Sequence, residues 1–289
     1  PRRHDAISDW GYRPAWRPRL ADCALDLETD LGETPQTWLF FADDGGLAQK
    51  AAAQLRAAGH RVSLVHAGDT FANLGDDSYI LPPEQGRFGY GALLADLAEN
   101  DALPDRIGHF WLVTQDESFR PGSSFFDRNL EMGFYALTAL AQELGALELD
   151  RPVHLTIFTT GAAQVAAEPL PDPEKALIAG PAGVMPREFP HLTCTTVDIE
   201  LPSAPGLIAA LRGAQTPDLT ARLLEELLAE PSNASAAWRG EKRFEKSWRK
   251  QPLTEGAPSQ APDLPAFKPG GRYLITGGCH DCKVHDLGV

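Results

Sequence analysis

The sequence predicts an α/β fold in which a largely parallel sheet has helices on both faces. Short apolar runs alternate along the chain with longer segments rich in Ala and Leu, the order expected when each strand is followed by a helix that returns to the sheet. The apolar runs lack the polar alternation of a solvent-facing sheet, so both faces should be covered. The 289 residues are 43% hydrophobic, which is enough to bury a large core.

The first strand–helix–strand unit begins at Trp38. The run TWLFFADD ends in turn residues, GLAQKAAAQLRAAG is a helix with Gly59 at its C-terminal end, and HRVSLVHAG is short and β-branched. The order then repeats, with helices predicted over Tyr90–Asn100, over Phe125–Gly145 and from Pro173. The predicted inner strands are, in chain order, Trp38–Ala42, Val62–Val65, Ile107–Val113 and Val153–Phe158.

The pattern changes after the next predicted strand, LTCTTVDIEL. Thr216–Glu230 has the spacing of an amphipathic helix that Thr216 or Asp218 could cap. Two short strands are predicted within Ala236–Lys250, where the basic stretch RGEKRFEKSWRK is interleaved with aromatic residues. A polar-faced strand pair with apolar anchors explains this stretch better than base stacking does. Prolines then mark residues 251–268 as a linker.

Charge and hydropathy exclude several classes of partner. The formal net charge of −14 opposes a long electrostatic contact with nucleic acid. The longest apolar runs fall short of the roughly 18 residues that a membrane span requires. The N-terminal residues have no apolar signal core. We therefore expect a cytoplasmic protein with no nucleic-acid partner and no membrane association.

The turn after the first predicted strand is unusual for a dinucleotide site. Such a site needs glycines there, so that a pyrophosphate can rest on the N-terminus of the next helix. Here the strand runs into Asp43, Asp44, Gly45 and Gly46, and two carboxylates would repel a phosphate. The sequence thus predicts a Rossmann-like sheet that is degenerate, with no intact dinucleotide loop in this unit.

The tyrosines do not supply a catalytic pair either. Short-chain reductases use a tyrosine with a Lys or Asn about four residues further on, so that both lie on one helix face. Four residues beyond the five tyrosines stand Trp16, Pro83, Leu94, Ala139 and Gly277. No catalytic residue is therefore predicted in this chain.

The last twenty residues begin like a second nucleotide-binding unit and then depart from it. RYLIT is predicted to be a buried strand, and Thr276, Gly277 and Gly278 are the remnant of a cofactor-binding turn. The chain continues with CHDCKVHDLGV where further glycines are needed. Cys279, Cys282 and His285 have a spacing that could hold zinc, and CHDC is also a redox-type motif. Because three ligands in a short terminal stretch fall short of a structural zinc site, we predict no metal and interpret the tail as a truncation or artefact.

The segments together resemble the N-terminal half of the ketoreductase domain of type I modular polyketide synthases. The resemblance covers nearly the whole chain up to Gly278 and rests on the order of GYRPAWRPR, WLFFADDGGLAQKAAAQLRAAGHRVSLV, FFDRNLEMGFYALTALAQELG, EKALIAGPAGVMPREFPHLTCTTVDIELP, AAWRGEKRFEKSW and GGRYLITGG. It implies a noncatalytic structural subdomain that binds no cofactor and braces a second, catalytic half. That half binds NADPH and reduces the β-keto group of an intermediate carried by an acyl carrier protein.

The resemblance also implies a division of the chain. Residues 1–250 would be the structural subdomain, 251–268 the linker and 269–289 the first strand of the catalytic subdomain. The implied partners are that subdomain, neighbouring synthase domains and, in the parent protein, the acyl carrier protein. Trp16, Trp238, Phe244, Trp248 and Tyr273 are predicted to form the apolar surface near the join. Two alternatives stay open: a free-standing NADPH-dependent reductase with an unrecognised site, and a small metal-binding module that uses the CHDC tail.

Overall fold

The structure, a computed structural model, describes residues 11–21, 34–114, 124–147, 149, 151–202 and 218–251. Its contacts divide the chain into two compact units, residues 14–248 and residues 1–13 with 249–289. In the smaller unit, the described residues include Gln251, whose backbone N–H donates to the Gly11 carbonyl at 2.8 Å. Thr276 to Gly278, the CHDC tail and Tyr273 lie outside the described residues.

A mostly parallel sheet organises the chain. Its strands are β1 (Tyr12–Pro18), β2 (Thr37–Phe41), β3 (Arg61–Ala67), β4 (Ala72–Gly75), β5 (Ser78–Leu81), β6 (Arg106–Leu112), β7 (Val153–Thr159), β8 (Leu192–Asp198), β9 (Ser235–Arg239) and β10 (Lys242–Lys250). Their order across the sheet is β1-β10-β9-β8-β7-β6-β2-β3-β5-β4. The neighbours from β9 to β5 pair in parallel, whereas β10 pairs antiparallel with β9 and β4 with β5.

The predicted inner strands are confirmed. Strands β2, β3, β6 and β7 each have a neighbour on both sides, and every residue of β7 is buried. In the centre of the sheet, Phe41 of β2 lies opposite Val65 of β3 and His109 of β6. These strands are continuous apolar runs because both of their faces are covered.

Helices lie on both faces of the sheet. They are α1 (Leu47–Ala57), α2 (Arg87–Glu99), α3 (Phe125–Asn129), α4 (Ala136–Ala146), α5 (Ala179–Glu188) and α6 (Thr220–Leu228). A 3₁₀ turn, Pro83–Gln85, precedes α2, and another, Pro173–Ile178, precedes α5. Among the described residues, none of these helices has the length and apolar character needed to cross a bilayer.

The core has two halves, one on each face of the sheet. One half packs α2, α4 and α5 against β2, β6, β7 and β8. The other packs α1 and α6 against the opposite side and includes Trp38, Phe40, Phe110 and Trp238. Close packing reaches the backbone at Gly108, where an added Cβ would lie 2.8 Å from both Phe40 and Phe110. A side chain larger than hydrogen would not fit at this position.

Two features of the fold were not predicted from the sequence. The polar stretch between β3 and α2 forms the hairpin β4–β5, whose turn holds Asp76 and Asp77 in the left-handed region, at φ 50° and 54°. The single helix predicted over Phe125–Gly145 is instead two helices joined by a π-helical turn, Leu130–Tyr135. Gly133 in this turn approaches Leu112 so closely that a Cβ would lie 2.8 Å from its side chain.

The predicted helix ends agree in part with the structure. Gly59 follows α1 with φ 91°, and its N–H donates to the Arg56 carbonyl, as a C-terminal glycine should. Asp218 accepts a hydrogen bond from the backbone N–H of Thr220, the first residue of α6, at 3.0 Å. Thr216, the other candidate cap, lies outside the described residues.

Trp238 is placed differently from the expectation. It belongs to the core, with 8% of its surface exposed, and its indole N–H donates to the Glu226 carboxylate at 2.6 Å. The same carboxylate accepts from Arg243 Nε at 2.6 Å, so helix α6 is joined to β9 and β10. Trp248 is 66% exposed, whereas Trp16 and Phe244 are half-buried. These aromatic side chains therefore do not share one exposed surface.

Candidate functional site

The carboxyl ends of β2 and β6 mark the position where a ligand would bind in a sheet of this kind. From β2 the chain continues outward through β3, and it later returns to the other side of β2 as β6. In doubly wound sheets, ligands bind in the crevice formed where the strand order reverses in this way. The polar residues that follow the strands here, Asp43, Thr114 and Thr160, are therefore the first candidates for a site.

Asp43 occupies the N-terminus of α1. Its side chain is 3% exposed, and its two oxygens accept the backbone N–H groups of Leu47 at 3.0 Å and Ala48 at 2.8 Å. Gly46 has φ 84°, and a Cβ on Gly45 would lie 3.0 Å from Asp43 Oδ2, so the glycines allow the turn that brings the carboxylate back to the helix. These N–H groups are the donors that a phosphate would need.

Asp44 is arranged differently from the expectation that both carboxylates fill this position. Its side chain is fully exposed, and its Oδ2 lies 3.9 Å from the Arg128 guanidinium. Long, exposed ion pairs of this kind contribute little stability. The negative charge at the helix N-terminus is therefore that of Asp43, and Asp44 adds only a charge at the rim.

A buried lysine lies next to the ends of β6 and β7. Lys175, at the 3₁₀ turn before α5, is 0% exposed, and its Nζ lies 2.6 Å from Thr114 Oγ1, 3.1 Å from Asp172 Oδ2 and 3.3 Å from Thr160 Oγ1. The Thr160 hydroxyl also donates to the Thr114 carbonyl at 2.9 Å. An ammonium group has three donors. Three acceptors surround this one, so the lysine is used to hold the loop ends together.

Asn129 connects the neighbouring helices at the same edge. It is 3% exposed, at the end of α3, and its Nδ2 donates to Glu174 Oε1 at 2.8 Å. Because Glu174 precedes Lys175 in the 3₁₀ turn, the amide and the ammonium group fix the same segment from two sides. The arrangement positions the backbone between β7 and α5.

A second polar cluster lies at the end of β8. Arg239 donates to Asp198 Oδ2 at 2.8 Å and to Glu168 Oε1 at 2.9 Å. Asp198 also accepts from the Thr159 hydroxyl at 2.8 Å and from the Ala162 backbone N–H at 2.9 Å. The loop that follows β7 is therefore anchored across the ends of β7, β8 and β9.

The ionisation of Glu168 reflects these contacts. Partial burial opposes its negative charge, but hydrogen bonds from the Val165 N–H, the Arg239 guanidinium and the Ala166 N–H outweigh burial and lower the pKa of Glu168 to about 2. The carboxylate is thus ionised at neutral pH and serves as the cap of the loop. A group of this kind is too weak a base for proton abstraction near neutral pH.

The described tyrosines have no Lys or Asn at the spacing of a catalytic pair. Four residues beyond each described tyrosine stand Trp16, Pro83, Leu94 and Ala139, none of which is a proton relay. In the described ranges, no group of three or more His, Cys, Asp and Glu side chains is arranged to hold a metal ion. The sequence reasoning did not find the Lys175 and Arg239 clusters. The only local signal for Lys175 is its place at the start of the apolar run ALI.

The family of the chain is indicated by its sequence. Residues 37–208 match a family model described as beta-ketoacyl synthase-like, N-terminal. A comparison with curated proteins found no match.

Solved structures of similar fold include three from assembly-line enzymes. A keto acid-selecting NRPS module with adenylation, ketoreductase and pseudo Asub domains has a TM-score of 0.67 and 20% identity over 84% of this chain and 18% of its own. An N-terminal ketoreductase from the macrolactin assembly line has a TM-score of 0.60 and 15% identity over 86% of this chain and 47% of its own. A C2-type ketoreductase from a modular polyketide synthase has a TM-score of 0.52 and 23% identity over 87% of this chain and 45% of its own. The chain spans less than half the length of each, and at these identities the likeness establishes the fold.

Proposed function

This chain belongs to the beta-ketoacyl synthase-like, N-terminal family, and from that premise we propose that it is the structural, noncatalytic half of a polyketide synthase ketoreductase. In this role it braces a second half that binds NADPH and reduces the β-keto group of an intermediate on an acyl carrier protein. Its partners are that catalytic half and the neighbouring domains of the synthase. Residues 1–250 act as the bracing subdomain, with 251–268 as the linker to 269–289.

The Asp43 carboxylate is the observation that carries the proposal. A nucleotide phosphate at the N-terminus of α1 would have to take the N–H groups of Leu47 and Ala48, to which Asp43 is already bonded at 3.0 and 2.8 Å. It would also approach a buried negative charge. A carboxylate at this position stabilises the helix without any ligand, because it complements the helix dipole and satisfies two N–H donors. The N-terminus of α1 therefore needs no bound nucleotide to be stable.

The two polar clusters support the same role. Lys175 and Arg239 are two cationic groups at this edge, and each is held by acceptors of its own chain. Releasing either group would leave its partner carboxylate, Asp172 or Asp198, without its cation. Asp198 is 5% exposed, so the loss of its cation would be strongly destabilising, whereas Asp172 is 26% exposed and would be partly solvated. The clusters therefore favour a rigid support over a reacting site.

Two of the similar structures support the assignment to a ketoreductase. They are described as an N-terminal ketoreductase from the macrolactin assembly line and a C2-type ketoreductase from a modular polyketide synthase. The present chain spans 47% and 45% of their lengths, which fits one half of such a domain. The activity, cofactor and carrier-protein partner of the whole domain are assigned here only through this proposal.

We predict that the chain alone neither binds NADPH nor reduces a model β-ketothioester, and that adding a ketoreductase catalytic half in trans produces reduction. The physical reason is that the Asp43 turn takes the phosphate donors here, whereas the catalytic half carries its own glycine turn. NADPH binding is measured by fluorescence titration, and reduction is measured by the loss of NADPH absorbance. The catalytic half alone is the control and should be less active than the mixture.

Each alternative function makes a different prediction for the same preparation. A free-standing reductase would bind NADPH with a dissociation constant in the low micromolar range and turn over without the second half. A module that binds metal through the CHDC tail would carry about one equivalent of zinc after purification, measured by elemental analysis. Either result would overturn the proposed role.

Replacing Asp43 with Ala is expected to lower the free energy of unfolding by about 0.5–2 kcal/mol, the usual range for the loss of a helix-capping side chain. The N–H groups of Leu47 and Ala48 would lose their acceptors. Asp44→Ala is the matched control and should change stability by less than about 0.5 kcal/mol, because the Asp44 side chain is exposed. Urea denaturation of both variants measures the difference. Equal losses would contradict the role given to Asp43.

A further inference from the structure

Three buried ring side chains around Phe41 have polar atoms with no hydrogen-bond partner. They are Tyr90 of α2 and His109 and Trp111 of β6, with exposures of 1%, 1% and 5%. The Tyr90 hydroxyl, both His109 ring nitrogens and Trp111 Nε1 are inaccessible to solvent and make no hydrogen bond among the described residues. A buried polar group left without a hydrogen-bond partner destabilises the folded state. Native structures seldom leave several of them together.

Tyr90, His109 and Trp111 lie in one cluster around Phe41 and are not isolated from one another in the core. The Phe41 ring centroid lies 5.0 Å from that of Trp111, 5.2 Å from that of His109 and 6.0 Å from that of Tyr90. The His109 and Trp111 centroids are 5.5 Å apart. Because His109 and Trp111 are two residues apart in β6, they project from the same face of the sheet. Tyr90, His109 and Trp111 therefore each lie against Phe41, within the half of the core that α2 and α4 cover.

The chemistry of the three groups restricts what can satisfy them. The Trp111 indole only donates, a neutral imidazole donates through one nitrogen and accepts through the other, and a phenol does both. A guest must therefore both accept and donate hydrogen bonds. A metal cation could not accept from the indole N–H. An anion would be buried without a countercharge, which is strongly unfavourable.

We propose that the cluster of Tyr90, His109 and Trp111 holds at least one internal water molecule that bridges these side chains. A buried water typically makes about three hydrogen bonds to groups that otherwise have no partner, and the number of orphaned atoms here meets that need. The water is a fixed part of the core, between α2 and the centre of the sheet. It explains how a histidine is accommodated among aromatic rings.

The first test uses the full chain, with tryptophan labelled by ¹⁵N. A cross-peak between the Trp111 Nε1 proton and a long-lived water is expected in paired NOE and ROE spectra, and Trp111→Phe identifies the resonance. Trp238 is the internal control, because its indole N–H donates directly to Glu226 at 2.6 Å and should show no such cross-peak. If Trp111 shows no water cross-peak, or only the same weak signal as Trp238, the proposal is wrong.

The second test counts long-lived waters by magnetic relaxation dispersion of the water signal. His109→Phe should lose at least one such water relative to the unchanged chain. His154→Phe is the matched control, because buried His154 bonds directly to Thr193 Oγ1 at 2.7 Å and its loss should leave the count unchanged. An unchanged count in folded His109→Phe would overturn the proposal. If that variant does not fold, the cross-peak measured on the unchanged chain decides the matter.

Discussion

Replacing Trp238 with Ala is expected to lower the free energy of unfolding by about 3–5 kcal/mol, the usual cost of truncating a large buried aromatic side chain. The indole packs in the core between α6 and the sheet, with the Arg222 guanidinium 5.3 Å from its ring centroid. Its removal also takes away the donor at 2.6 Å from Glu226, which stays buried beside Arg243. Chemical denaturation followed by far-UV circular dichroism measures the loss.

Two further variants separate the causes of this loss. Trp238→Phe keeps most of the apolar volume but loses the N–H donor to Glu226, so it should cost about 1–3 kcal/mol. Trp248→Ala removes a tryptophan from the next strand that is 66% exposed, and it should change stability by less than about 0.5 kcal/mol. A loss at Trp248 equal to that at Trp238 would mean that the two side chains are not placed as described.

Acid should destabilise the chain as the pH falls below 6.5, because two buried histidines would have to take up protons. Burial lowers the pKa of His109 to about 3, and burial together with the nearby Arg106 charge lowers the pKa of His154 to about 4, from an ordinary value of 6.5. A histidine whose folded pKa is depressed contributes stability above pH 6.5 and loses it as the pH falls toward the folded pKa. For His109 the full loss, complete only below pH 3, amounts to about 5 kcal/mol.

The contribution of His109 can be isolated by mutation. His109→Phe cannot take up the proton, so its stability relative to the unchanged chain should rise by about 2 kcal/mol between pH 6.5 and pH 5. Trp111→Phe, which alters the same cluster without removing a titrating group, should keep the original pH dependence. Urea unfolding at several pH values measures both variants. Parallel pH curves for His109→Phe and the unchanged chain would show that His109 is not buried as a neutral ring.

The sequence was most informative where one local signal was enough. Strands β2 and β7 are continuous apolar runs, and the two-sided burial that such runs predict is what the sheet shows. The β4–β5 hairpin escaped prediction because its strands are four residues each and because its turn places two non-glycine residues, Asp76 and Asp77, in the left-handed region, which is uncommon. No sequence pattern predicts the π-helical turn over Leu130–Tyr135, because this turn depends on how the helix packs against β6.

The candidate site shows the same limit. The sequence shows that an acidic turn follows β2. It does not show which of the two carboxylates reaches the helix, and in the structure only Asp43 does. Lys175 would ordinarily be expected at the surface. Its acceptors Thr114 and Thr160 lie just after β6 and β7, 61 and 15 residues earlier in the chain, so the sequence around Lys175 does not show what would satisfy a buried ammonium group.

The β4–β5 hairpin also determines how this side of the sheet meets other molecules. An unpaired outer strand is a template on which a second chain can add, which leads to aggregation. β4 is a poor template for a second chain because it has only four residues and its pairing with β5 is irregular between Asn73 and Gly75. Two aspartates also follow it in the turn. A chain without this hairpin would expose the long, apolar β3 as its outer strand. The hairpin thus keeps β3 from acting as a template on which a second chain could add.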